Sequence, residues 1–263
     1  MDVSYLLDGL NDHQRAAVSA PEQNMLVLAG AGSGKTRVLT HRIAYLMQVN
    51  HIPTYGILAV TFTNKAAKEM RGRIADICPQ QIGSMWIGTF HGIAHRLLRL
   101  HHQEANLPEQ FQIIDSDDQQ KMVKRIIKSL GLDEKYYPPK ELQWYINDKK
   151  DEGLRSKHID PGFSVQEKQR LQVYQAYEAA CQLAGLVDFA ELLLRAHELL
   201  LNNAALLLHY QQRFQHVLVD EFQDTNKLQY AWLVLLTDNK NYLTIVGDDD
   251  QSIYGWRGAD VEN

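Results

Sequence analysis

The chain has 263 residues, 45% hydrophobic and 22% charged, with 27 Lys and Arg against 32 Asp and Glu for a net charge of −5. That is enough apolar residue for one or two buried cores, and it excludes a disordered, collagenous or disulfide-built chain. An acidic chain is not a general nucleic-acid coat, so any such contact must be local; residues 1–130 carry 14 basic against 11 acidic side chains, residues 131–263 carry 13 against 21. The two cysteines, Cys78 and Cys181, form no CxxC and read as reduced thiols. The start Met1-Asp2-Val3-Ser4 has no signal-peptide pattern and no apolar run is long enough to span a bilayer, so the expectation is a cytoplasmic protein without a membrane partner.

Five short apolar runs predict buried parallel strands: Met25–Ala29, Ile57–Thr61, Met85–Gly88, Val217–Asp220 and Tyr242–Val246. Most are followed by a polar turn and then a helical pattern, the signature of a parallel sheet with helices on both faces. The stretch 104–213 between the third and fourth runs reads as helices with clear punctuation. Ser116-Asp117-Asp118-Gln119 and Ser164-Val165-Gln166-Glu167 have capping-box spacing, Pro138-Pro139 suits a helix start, Gly131 and Gly185 are stops, and Asp188 is placed to cap Phe189–Leu201. The predicted organisation is one α/β domain, 1–103 with 214–263, carrying an inserted all-helical domain at 104–213. Lys121, Lys124, Arg125 and Lys128 recur at helical spacing; a solvated face is preferred there over duplex contact.

The strongest motif is Ala29-Gly30-Ala31-Gly32-Ser33-Gly34-Lys35-Thr36, after the first strand and opening a helix. Glycines let backbone N–H groups turn around phosphates, and the helix N-terminus adds positive potential. Lys35 is placed for the β- and γ-phosphates of ATP, and Thr36 for Mg²⁺. Ala29 stands where the motif usually has its first glycine, a mild departure. The run Val217-Leu218-Val219-Asp220-Glu221 brings two carboxylates to a strand end. Asp220 suits a Mg²⁺ ligand and Glu221 a group that polarises an attacking water. From these residues alone, a P-loop ATPase or kinase that never touches nucleic acid fits too, as does a module whose loop is only structural.

Further motifs narrow the choice. Asp220-Glu221-Phe222-Gln223-Asp224 occurs with Thr61-Phe62-Thr63-Asn64-Lys65-Ala66-Ala67, with Gly88-Thr89-Phe90-His91, and with Gly247-Asp248-Asp249-Asp250-Gln251-Ser252-Ile253-Tyr254-Gly255-Trp256-Arg257-Gly258-Ala259. In this order they resemble the motifs of superfamily 1 helicases of the UvrD/Rep/PcrA type, over nearly the whole chain. Leu10-Asn11-Asp12-His13-Gln14 is similar to the family's adenine-reading Q motif, and Gly185-Leu186-Val187-Asp188-Phe189 to a segment of its helical insertion.

The resemblance implies a RecA-like P-loop fold and ATP-driven 3′-to-5′ movement on single-stranded DNA and at DNA junctions. It also implies work with repair proteins in mismatch and nucleotide-excision repair. Gln14 would select adenine, Arg37 would lie near the nucleotide, and Gln251 would sense the γ-phosphate. Phe62, Phe189, Tyr254 and Trp256, with Arg257, are candidate stacking platforms for bases. Thr63, Asn64, Thr89 and His91 can bond phosphate or sugar. The chain stops after the family's motif III, so the expectation is an N-terminal motor part that binds ATP and Mg²⁺ but lacks full ATPase and unwinding activity.

Overall fold

A computed structural model describes residues 4–30, 32–79, 82–237 and 241–248. In chain order its elements begin with helix α1 (Asp12–Val18), strand β1 (Met25–Leu28), α2 (Lys35–Gln48), β2 (Ile57–Thr61), α3 (Asn64–Ile77), β3 (Trp86–Thr89) and α4 (Phe90–Leu100). There follow β4 (Gln112–Ile113), α5 (Ser116–Ser129), α6 (Pro139–Asp151), α7 (Val165–Ala184), β5 (Leu186–Val187) and α8 (Phe189–Leu201). The last are α9 (Ala204–Arg213), β6 (His216–Val219), α10 (Lys227–Leu236) and β7 (Tyr242–Gly247). They form two compact units, Met1–Ile93 with Leu200–Asn263, and Ala94–Leu199.

The first unit is an α/β domain. Its five strands run parallel in the order β1-β7-β6-β2-β3, so the last two described strands enter between the first and second. Every residue of β2 and β6 is buried, as an inner strand covered on both faces requires. Leu39, Ile43 and Leu46 of α2 and Met70 and Ile74 of α3 pack on Ala59, Ile87 and Leu218 from one face. On the other, Trp86 meets Tyr210 and Phe214 at 5.6 and 5.4 Å, and Phe90 meets Trp232 at 6.2 Å. The expectation of five buried strands needs one correction: β1 is an edge strand, and although Val27 joins the core, Leu26 and Leu28 are 61% and 56% exposed. A short apolar run does not reveal which strand lies at the edge.

The second unit packs α5, α6 and α7 around Val123, Ile127, Leu142, Ile146, Tyr174 and Tyr177. It also holds what an all-helical reading misses, a two-stranded parallel sheet of β4 and β5. Each strand has only two residues, too few for a period to show. Proline stands first in α6, and Gly185 ends α7 at φ 64°, a conformation glycine adopts without strain. The cap of α5 is Asp115 rather than Ser116; its carboxylate takes the Asp118 N–H at 2.8 Å. Either residue satisfies the capping pattern, and Ser116 is engaged instead by the Gln143 amide. Lys121, Lys124, Arg125 and Lys128 are all exposed, with Lys121 beside Asp118 and Lys124 beside Glu134.

A buried ionic network ties this unit together. Asp188 caps α8 through the Glu191 N–H at 2.7 Å, while its other oxygen accepts from Lys150 at 2.6 Å and from the Tyr177 hydroxyl at 2.7 Å. Burial pushes the Glu191 carboxyl up, but Lys150, Arg155 and Arg195 outweigh it and hold the group well below the usual carboxylate range. Among the described residues Lys150 is the one cation paired with Asp188. Lys150→Ala should therefore leave a buried, uncompensated carboxylate and destabilise the protein by about 3–5 kcal/mol, read as a lower midpoint in urea unfolding.

Candidate functional site

The carboxyl ends of β1, β7 and β6 lie side by side, where parallel α/β sheets hold their ligands. Ala29 continues the β1–β7 ladder, its N–H bonding the Gly247 carbonyl at 3.1 Å. The chain then turns through the glycine loop into α2. Gly32 and Gly34 have φ of 72° and 86°, and a Cβ on Gly34 would stand 2.8 Å from the Gln14 amide nitrogen, so glycine is required there twice over. Lys35, first in α2 and 8% exposed, folds back on its own loop. Its ammonium donates to the carbonyls of Ala29 at 2.9 Å and Gly30 at 3.2 Å, and meets Asp248 at 3.5 Å.

Thr36, next on the helix, donates its hydroxyl to Asp220 at 3.1 Å. Asp220 follows β6 directly and its N–H bonds the Val60 carbonyl, which keeps it in line with the sheet. Burial, and then the neighbouring Glu221, raise the Asp220 carboxyl to about 6, against the Thr36 hydroxyl, the Glu221 N–H and Lys35, which lower it. A hydroxyl and a carboxylate converging on one point are hard oxygen donors of the kind that suit Mg²⁺.

Glu221 has φ 54°, the left-handed region that a non-glycine residue enters at a cost. Two bonds hold it there: its N–H donates to Asp220 at 3.1 Å, and its carboxylate accepts from the Gln223 amide at 2.7 Å. Gln223 in turn accepts the Asp248 N–H at 3.0 Å, joining the acidic pair to the end of β7. The cavity in front of these groups holds about 300 Å³ and is lined by the loop from Gly32 to Arg37, by Arg73 of α3 and by Glu221.

Of the expected ATP-site residues, Gly32–Arg37 and Glu221 thus line one cavity, Asp220 stands behind it bonded to Thr36, and Ala29 and Gly30 serve as acceptors for Lys35. Gln14 borders the loop. Its amide nitrogen donates to the Ser33 carbonyl at 2.8 Å and its oxygen takes the Asn11 N–H at 3.1 Å, within a capping box that starts α1. Ala31, Gln251, Tyr254, Trp256 and Arg257 lie outside the described residues.

The candidate DNA residues fall in two groups. Phe62, Thr63 and Asn64 follow β2, and Thr89 and His91 lie at the end of β3 and the start of α4; the register Thr61↔Thr89 makes these two segments neighbours at the carboxyl edge. The hydroxyls of Thr63 and Thr89 already accept from the Ala66 and Gly92 N–H groups, so their local work is to start α3 and α4. Phe189 belongs to the other unit, where it opens α8 and is 54% exposed.

Three residues of the site escaped the sequence reading. Gln223 stood inside a quoted motif without a role. Asp248 likewise stands inside a quoted motif without a role, yet it is buried and partners Lys35. Arg73 belongs to no motif, and only the packing of α3 beside the loop brings it to the cavity.

A parallel sheet with this loop and these carboxylates at its carboxyl edge defines a P-loop nucleotide-binding domain. Residues 10–263 match the UvrD/REP helicase N-terminal domain, and the chain belongs to that family. It is 64% identical over its whole length to DNA helicase II of Escherichia coli, covering 36% of that protein, and 60% identical to DNA helicase II of Haemophilus influenzae, covering 37%. It is 42% identical to the ATP-dependent DNA helicase PcrA of Leuconostoc citreum, covering 35%. The chain thus spans little more than a third of the length of these relatives.

The Asp220 shift has a consequence for stability. The folded value lies above the usual 3.8, so keeping this carboxylate ionised costs stability at pH above about 6. The cost fades as pH falls through that value and is gone below the unfolded one. Without metal or nucleotide, Asp220→Asn should raise stability at pH 8 by up to about 3 kcal/mol and leave it nearly unchanged at pH 4, read from urea midpoints at the two values.

Proposed function

We propose that this chain is the N-terminal motor part of an ATP-dependent DNA helicase that moves 3′ to 5′ along single-stranded DNA. In this reading it acts at DNA junctions with partners in mismatch and nucleotide-excision repair. The observation that carries the reading is the cavity of Gly32–Arg37 and Glu221, with a buried Lys35 and the Thr36–Asp220 pair behind it.

On this reading Lys35 exchanges its loop carbonyls for the β- and γ-phosphates of ATP, and the loop N–H groups take the remaining phosphate oxygens. Thr36 and Asp220 would hold Mg²⁺, which when bound neutralises charge on the phosphates. Glu221, held by Gln223, orients the attacking water and takes up its proton. Gln223 also bonds the first residue after β7, so a shift of Glu221 is felt at the segment that leads to Gln251. Arg37 and Arg73 offer positive charge at the open side of the cavity. For DNA, Phe62 and Phe189 would stack bases, while Thr63, Asn64, Thr89 and His91 meet the backbone; contacts of this kind tolerate any sequence. Residues 104–213 would form the inserted domain that carries Phe189.

Lys35→Ala should weaken ATP binding by about 1.5–3 kcal/mol, the worth of a charge-assisted bond, and unchanged affinity in calorimetry would remove the assignment. Phe189→Ala should cost about 1–3 kcal/mol in binding an oligothymidine at fixed salt, with ATP affinity intact.

The chain by itself should bind nucleotide but turn it over slowly. Phosphoryl transfer in P-loop enzymes relies on an arginine at the γ-phosphate; Arg37 and Arg73 line the cavity, and in this reading neither takes that place. A coupled assay with and without single-stranded DNA, run beside Glu221→Gln, checks this. DNA-stimulated turnover of many per second, lost in the variant, would show that these 263 residues suffice.

A further inference from the structure

Arg42 of α2 is 1% exposed, and among the described residues no carboxylate pairs with it directly. Its guanidinium is spent on backbone. One terminal nitrogen donates to the Val18 carbonyl at 2.9 Å and, at still closer range, to the Ala20 carbonyl; the other donates to the Pro21 carbonyl at 3.1 Å. These oxygens lie at the C-terminal end of α1 and in the turn after it, where a helix leaves carbonyls without partners. Burying a cation mainly against neutral acceptors is costly, with Tyr45 and Glu22 acting on it only through space. Apolar contact already seats α1 on α2 through Leu10, Val18 and Val38, so adhesion does not explain the arginine. A planar fork does what apolar packing cannot, because it holds three carbonyls at one angle and one height.

What that precision serves lies one turn back along α1. Gln14 sits four residues before Val18, about 6 Å along the axis, and its amide bonds the Ser33 carbonyl of the phosphate loop at 2.8 Å. The fit is tight, since a single methyl on Gly34 would reach that amide nitrogen. With one N–H given to Ser33 and one lone pair to Asn11, the amide keeps one donor and one acceptor. Adenine presents an acceptor at N7 and a donor at N6, whereas guanine presents two acceptors at the same edge. A donor–acceptor pair separates the two bases only if its direction is fixed.

We infer that Arg42 is a positioning residue for base selection: through α1 it fixes the direction of the Gln14 amide, and so sets a preference for adenine over guanine nucleotides without touching the nucleotide. The inference rests on the proposed nucleotide reading of the loop and deepens it.

The test is equilibrium binding of fluorescent ATP and GTP analogues, with Mg²⁺, to the wild-type chain and to Gln14→Ala, Arg42→Met and Arg42→Lys. Methionine keeps the buried stem without charge, and lysine keeps the charge without the fork. Both Arg42 variants should lose about tenfold in ATP affinity with GTP affinity nearly unchanged, so that the ATP/GTP ratio falls as it does in Gln14→Ala. If Arg42→Met does not fold, Arg42→Lys decides. An equal loss of both nucleotides, or an unchanged ratio, in a folded Arg42 variant while Gln14→Ala loses its preference overturns the role of Arg42. An unchanged ratio in Gln14→Ala overturns base reading by Gln14 itself, and the inference with it.

Discussion

The nucleotide loop is organised around a cation that it must neutralise from within. Lys35 is almost wholly buried, and a buried ammonium without partners is among the most costly groups a fold can hold. Among the described residues its three acceptors come from two strand ends: Ala29 and Gly30 from the exit of β1, and Asp248 from the exit of β7. Those exits are level because Leu28 pairs with Gly247. The sheet register, the left-handed glycines and the buried first residue of α2 therefore stand or fall together. On the proposed reading all three acceptors are also replaceable, which would let the same ammonium turn to phosphate oxygens without passing through an unpaired state.

Beside this cation the site stores cost in its acidic half. Asp220 is buried and lifted to about 6, and Glu221 occupies a backbone conformation that costs of order 1–3 kcal/mol. Neither feature helps the domain fold. Both set carboxylate oxygens in place, Glu221 lining the cavity and Asp220 behind it, before any ligand arrives, so that on the proposed reading less has to be organised when one binds. The Gln223 amide makes this tolerable by satisfying the Glu221 carboxylate and the N–H after β7 at once.

The second unit uses charge differently. Lys150, Arg155, Arg195, Asp188, Glu191 and Tyr177 form a closed network in which each buried charge meets an opposite one or a hydroxyl. Such networks specify geometry more than they add stability. Here the geometry specified is the start of α8, since Asp188 is both the centre of the network and the cap that leads into Phe189.

Strand and helix positions were legible from local pattern, and the five main strands lie within a residue of where their apolar runs place them, from Met25–Leu28 to Tyr242–Gly247. The phosphate loop was equally legible, because glycine spacing and a Lys-Thr pair state a backbone requirement that is local to eight residues. What local pattern does not carry is neighbourhood. That β7 and β6 enter between β1 and β2, that β1 is left at the edge, and that β4 pairs with β5 across some seventy residues are decided by long-range pairing. For the same reason Arg73, Gln223 and Asp248 joined the site only in three dimensions. A single arginine, glutamine or aspartate has no periodicity to betray it, and its role depends on which strand end or helix face stands opposite. Arg42 makes the point most sharply: in sequence it is one charge in a helix, and only the turn at Val18–Pro21 folded against it makes that charge a clamp.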